Sequence, residues 1–151
     1  MLMRLNLVGA LKKIEVSALR EVAKTYRQPL ESALIEWQKA VKRALSLKRS
    51  HGQRASLEGF SEHNMPFRRT GRLWESVFIS KIKTTILRRG LKYTATFGFG
   101  GSFKQVEGKP YPVYINEKYS TKGWLDNANT FAEQRVQKAY SVMGISVRRG
   151  T

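Results

Sequence analysis

The sequence predicts an α+β fold: an antiparallel sheet with a central hairpin, covered by N-terminal helices and a C-terminal helix. The clearest sign is Leu91 to Phe99, where Leu91, Tyr93, Ala95, Phe97 and Phe99 alternate with Lys92, Thr94, Thr96 and Gly98. That period of two marks a strand with one buried face. A second alternation runs from Val77 to Leu87, with Phe78, Ser80, Ile82, Thr84 and Ile86 on one side and Val77, Ile79, Lys81, Lys83 and Thr85 on the other. Arg88-Arg89-Gly90 separates the two runs, which therefore read as an antiparallel hairpin. Helical periods on both sides of this unit supply the cover that its apolar face needs.

In chain order, residues 1 to 9 set Leu5 and Leu7 against Arg4 and Asn6, a short alternation that suits an edge strand. From about Ala10 to Gln28, Leu11, Ile14, Ala18, Leu19, Val22 and Tyr26 recur at three- and four-residue steps, as on one face of an amphipathic helix. Pro29 either begins a second helix or kinks a continuous one, because proline has no amide hydrogen for a helix interior. Beyond it Leu30, Leu34, Trp37, Val41, Ala44, Leu45 and Lys48 form a stripe, opposite Glu31, Gln38, Lys39, Lys42, Arg43 and Arg49. The acidic residue near the start and the basic residues near the end suit the helix dipole. This helix is expected to run to Leu47 or Lys48.

A loop is expected at about residues 50 to 65, with a short helical turn around Ala55 to Phe60. Loops this long are commonly functional, and the expectation is a segment that orders on assembly. After the hairpin, Gly98, Gly100 and Gly101 end the strand, and Ser102 to Lys109 reads as a turning segment. Tyr111 to Ile115 is compact and aromatic. Thr130 and Glu133 have capping-box spacing for a last helix, with Phe131, Val136, Ala139, Tyr140 and Met143 as its apolar face and Gly144 as its stop. Ile145 to Arg148 suits a terminal edge strand.

The length, 151 residues, suits one domain over 1–151. Cysteine is absent, which excludes disulfides and thiolate metal sites. No apolar run approaches a membrane span, and a soluble protein is expected. The formal charge is +17, from 28 Lys and Arg against 11 Asp and Glu. Successive thirds carry 11 basic against 4 acidic residues, 9 against 3, and 8 against 4, so the excess is spread rather than held in a tail. Such a balance favours polyanionic surroundings, either nucleic acid or an acidic protein surface.

Chemistry is poorly provided for. His51 and His63 are the only histidines, and Asp126 is the only aspartate. Neither a zinc-binding pair nor a carboxylate cluster follows from that supply, and a metal site is not expected. No serine sits in a G-x-S-x-G elbow, and the glycines at 98 to 101 lack the lysine and Ser/Thr of a phosphate-binding loop. Arg68, Arg69 and Arg72 suit phosphate binding at a short helix start, a salt bridge to a neighbouring subunit, or a solvated turn. Lys81, Lys83 and Lys92 form a second basic patch on the face of the sheet away from the core. Trp37 fits its helix's apolar stripe, whereas Trp74 suits either packing or an interface anchor.

Taken together, these residues resemble a family. Two N-terminal helices, then R-T-G-x-L-x-x-S in full from Arg69 to Ser76, a hairpin, Tyr111-x-x-Tyr114-Ile115-x-Glu117, and Trp124-Leu125-x-x-Ala128 before a final helix look like the tail-completion or neck proteins of tailed bacteriophages. These are also described as head-tail joining or minor tail components. Departures fall in the second and third motifs: Tyr119-Ser120-Thr121 stands where a glycine-threonine end is usual, and Trp124 and Asn127 replace a phenylalanine and a proline.

The resemblance implies a structural virion protein without catalytic residues or cofactor, forming a ring, commonly hexameric, at the head-tail junction. Its implied partners are copies of itself, connector and tail-tube or tail-terminator proteins, and genomic DNA in the channel; no membrane is involved, and assembly is in the host cytoplasm. Thr70 and Gly71 would shape the turn into the sheet and Leu73 would pack beneath it. Tyr111, Tyr114 and Glu117 would lie at a domain edge used in assembly, with Arg69, Ser76, Trp124 and Leu125 completing the motifs. The alternative is a basic nucleic-acid-binding module, with Arg68, Arg69, Arg72, Lys81, Lys83 and Lys92 making non-specific phosphate contacts.

Overall fold

The computed structural model describes residues 2–10, 16–47, 56–60, 64–87 and 90–143. An antiparallel sheet is built around β4 (Gly90–Phe99), with β1 (Leu2–Ala10) along one side and β2 (Val77–Ile79) and β3 (Lys83–Leu87) in succession along the other. β1 pairs with β4 from Leu2 opposite Gly98 to Ala10 opposite Gly90. The expected edge strand thus exists and extends through Ala10, the residue at which the helical period begins.

The core face of β4 is as expected: Leu91, Tyr93, Ala95, Phe97 and Phe99 are all buried. The opposing run is not one strand. Ile79 stands opposite Phe97 and Lys83 opposite Thr94, so four steps on one side match three on the other. The extra residue makes a bulge at 80–82. There the Ser80 N–H donates to the Thr96 carbonyl (2.7 Å), and the Ser80 hydroxyl accepts the Thr96 N–H (2.9 Å). The side chain thus stands in for a missing ladder acceptor.

The bulge also switches faces. Val77 and Ile79 share the core side with Phe99 and Phe97, whereas beyond it Thr84 and Ile86 are paired with Tyr93 and Leu91. An unbroken alternation over Val77–Leu87 is therefore corrected, because one inserted residue inverts a period of two. Ile82 is buried, but every residue of β3 is exposed, including Ile86 and Leu87.

The two expected N-terminal helical segments are one helix, α1 (Val16–Leu45), which passes through Pro29. Pro29 has no N–H to give the Thr25 carbonyl. Carbonyls on either side of that gap are engaged from other elements: the Tyr93 hydroxyl donates to Ala23 (2.6 Å) and the Tyr140 hydroxyl to Tyr26. The predicted stripe Leu30, Leu34, Trp37, Val41, Ala44 and Leu45 is buried. Leu11, Ile14, Lys48 and Arg49 lie outside the described residues.

The last helix, α4 (Trp124–Ser141), begins six residues before the Thr130 capping box. Thr130 is exposed inside the helix. The N-terminus is capped from a distance: the Asn116 side-chain oxygen accepts the Leu125 N–H (2.8 Å), and Gly123 makes the left-handed entry at φ 81°. Phe131, Val136 and Tyr140 are buried as predicted, joined by Trp124, Ala128 and Ala132; Met143 is exposed, since the helix has already ended. Gly144 and the expected terminal strand lie outside the described residues.

Between the sheet and α4, Gln105–Val106 (β5) and Lys109–Pro110 (β6) form a small hairpin that leads into α3 (Tyr111–Glu117). Trp37, Phe97, Phe99 and Trp124 form the centre of the core, with edge-on ring contacts at 4.9 Å (Trp37–Phe97) and 5.0 Å (Phe99–Trp124). Such pairs add about 0.5–1.5 kcal/mol beyond burial of their area. Leu57, Asn64 and Met65 of the expected loop are buried, and Phe60 N–H bonds to the Leu57 carbonyl in a turn. Among the described residues no helix is long and apolar enough to cross a membrane.

Candidate functional site

The segment from Pro66 to Trp74 crosses the end of α1, where the Arg68 N–H donates to the Leu47 carbonyl (2.7 Å). Gly71 then turns the chain with φ 84°, a left-handed conformation that costs a side-chain-bearing residue about 1–2 kcal/mol. A single helical turn follows, α2 (Arg72–Glu75), begun by a Glu75 N–H bond to the Gly71 carbonyl (2.9 Å). Ser76 closes it: its hydroxyl donates to the Leu73 carbonyl (2.7 Å), and its own carbonyl accepts Gly100 N–H (2.9 Å) at the start of β2. The R-T-G-x-L-x-x-S residues thus make a turn, a helical turn and an entry to the sheet. Thr70 takes only a long contact with Arg72 N–H (3.4 Å), while Leu73 packs half-buried on the core.

This segment forms one wall of a surface groove of about 380 Å³. Leu45 of α1 and Phe103, Lys104 and Tyr111 complete its lining. Pro66, Phe67, Leu73 and Tyr111 make the interior largely apolar, and Arg68, Arg69, Arg72 and Lys104 stand exposed around it. Trp74 is half-buried, with the Lys42 ammonium 4.3 Å and the Arg68 guanidinium 5.7 Å from its ring centroids. Such cation–ring contacts contribute about 0.5–1 kcal/mol at exposed sites and hold the charges in place.

The groove brings together Arg68, Arg69, Thr70, Gly71, Arg72, Leu73 and Tyr111, which the sequence suggested as two separate sets. Other predicted residues do not line it. Trp124 is buried in the core, donating its indole N–H to the Pro112 carbonyl (3.3 Å), and Leu125 is half-buried behind the cap of α4. Tyr114 lies under Lys118, and Glu117 pairs with Lys109. With Lys118–Glu107 (3.8 Å), these contacts clamp the small hairpin to α3, a bracing role. Lys81, Lys83 and Lys92 sit on the sheet, away from the groove lining: Lys81 in the bulge, Lys83 and Lys92 at diagonal register positions of β3 and β4.

Sequence reasoning missed Lys42, Phe103 and Lys104 as neighbours of this segment. Only the stacking of α1 and the approach to β5 against it brings them near. Among the described residues no cluster of three or more histidine, cysteine or acidic side chains could hold a metal. His51 and His63 lie outside the described residues. The fold and groove define a small basic α+β protein with an apolar, cation-rimmed recess. No family model, curated protein or solved structure matches the chain.

Proposed function

We propose that this chain is a structural virion protein that forms a ring at the head-tail junction of a tailed bacteriophage, completing or joining the tail and contacting the connector complex. The observation that carries this reading is the meeting of Arg69–Leu73 with Tyr111 in one surface groove, since these are residues through which the chain resembles neck and tail-completion proteins. Two further features suit a ring. Among the described residues no strand pairs with the outer sides of β1 or β2–β3, and exposed Ile86 and Leu87 lie on one of them. Closed symmetry covers such edges, which otherwise invite open-ended pairing.

In this reading copies of the chain, connector proteins and tail-tube or tail-terminator proteins are its partners. Lys81, Lys83 and Lys92 then serve the channel side, where DNA or an acidic neighbour offsets the +17 charge. Particles assembled without this protein are the test: detached full heads and separate tails are expected, and normally joined particles overturn the reading.

Exposed Lys83 of β3 and half-buried Lys92 of β4, at diagonal register positions, favour a second reading, a stand-alone module that binds nucleic acid through phosphates. Size-exclusion chromatography with light scattering, with and without duplex DNA, separates the two. A DNA-dependent shift of a monomer favours the module; a ring of protein alone favours the assembly role.

A further inference from the structure

We propose that the groove beside Trp74 docks an acidic segment with an apolar anchor, carried by a partner protein of different sequence. The inference rests on reading this groove as an assembly face. Its first support is charge. Arg27, Lys109, Lys118 and Arg135 each have a carboxylate within ion-pair distance, but no described carboxylate pairs with Lys42, Arg68, Arg69, Arg72 or Lys104. Cations converge here, and among the described residues no acidic side chain lines the groove. Arginine clusters around a recess are a recurrent means of holding acidic motifs.

The second support is shape and prior ordering. Phe67, Leu73, Phe103 and Tyr111 give the recess an apolar lining, where a large side chain of the partner can be withdrawn from water. Trp74 holds Lys42 and Arg68 beside that lining before anything binds, which lowers the entropy lost on docking.

A second copy of this chain offers no acidic segment of the kind proposed. Its 11 acidic residues are dispersed, and the closest two, Glu58 and Glu62, are four positions apart. Single-stranded nucleic acid stacks its bases on open aromatic faces, and the Trp74 ring already carries two cations; the rings of Phe67, Phe103 and Tyr111 keep this occupant as an outcome of the test.

The test uses the full chain at physiological salt and a short peptide of glutamates flanking a Phe-Leu pair. Trp37 and Trp124 are wholly buried while Trp74 is half-buried, so the change in iodide-quenchable emission reports the groove. The peptide is expected to bind and protect Trp74. Replacing its Phe-Leu pair by serines is expected to weaken binding about tenfold, ~1.4 kcal/mol, or more. The double variant R68E/R72E is expected to lose at least as much, whereas K81E/K83E, with the same change in net charge, binds as the native chain does. All four positions are exposed, and circular dichroism confirms that both variants fold.

Absence of peptide binding, equal binding of the serine peptide, or equal loss in K81E/K83E overturns the proposal. So does tighter binding of an oligothymidine that competes with the peptide and is abolished by R68E/R72E. A chain that joins heads to tails yet ignores the peptide removes the groove proposal alone. A chain that binds the peptide but is dispensable for joining removes the head-tail reading and leaves the groove.

Discussion

The indole N–H of Trp37 donates to the main-chain carbonyl of Ala128 at 3.0 Å, tying the middle of α1 to the first half of α4. Both residues are fully buried, and the same indole meets Phe97 edge-on, so one side chain joins both helices to the sheet. Trp37→Ala is expected to cost ~3–5 kcal/mol through the cavity it leaves. Trp37→Phe keeps most of the ring and is expected to cost less. Urea denaturation of both variants checks the order; equal losses would mean that the ring contributes little beyond its hydrogen bond.

Capping of α4 gives a sharper contrast. Asn116→Ala removes the acceptor of the Leu125 N–H, at an expected loss of about 1 kcal/mol. Thr130→Ala, at an exposed interior position, is expected to be neutral or to stabilise by up to about 0.6 kcal/mol through helix propensity. Thermal unfolding of the pair checks this, and the opposite ranking would restore Thr130 as the cap.

Gly71 has space for a methyl group, since an added Cβ would meet only the Arg68 guanidinium at 3.7 Å and the Glu75 carboxylate at 3.9 Å. Its requirement is backbone angle rather than room. Gly71→Ala is expected to destabilise by about 1–2 kcal/mol, and Gly71→Asn by less, because asparagine tolerates left-handed angles better. Chemical denaturation measures both, and an unchanged midpoint for the alanine variant would contradict the strain argument.

Two phenols give stability an alkaline limit. Burial pushes Tyr93 from 10.0 up to about 12, against a downward pull from Arg27 and with a smaller upward push from Tyr26. Burial also raises Tyr140, as does neighbouring Tyr93, while a hydrogen bond from the Leu30 backbone opposes the rise. In the unfolded chain these groups lose protons near pH 10, so their contribution is complete below that pH and drains away as pH rises through about 12. Unfolding free energy is expected to fall across that window, and less steeply in Tyr93→Phe/Tyr140→Phe. An equal slope in the double variant would remove these phenols as the cause.

The sequence by itself determined the α+β class, the inward face of β4, the apolar stripe from Leu30 to Leu45 and the edge strand at the N-terminus. In each, a local period reports directly which side chains leave water. Tertiary structure alone decided the rest. Of the second start and the kink that Pro29 allowed, the fold has a continuous α1, with Tyr93 and Tyr140 engaging carbonyls on either side of the gap. Asn116 caps α4 from another element, and the bulge at 80–82 inverts an alternation that looks continuous in the chain. The groove belongs with these: Lys42, Arg68 and Trp74 meet only because α1 lies against the turn at Gly71. A hydrogen bond or ring contact between distant segments leaves no period in the sequence, and folding alone brings its partners within reach.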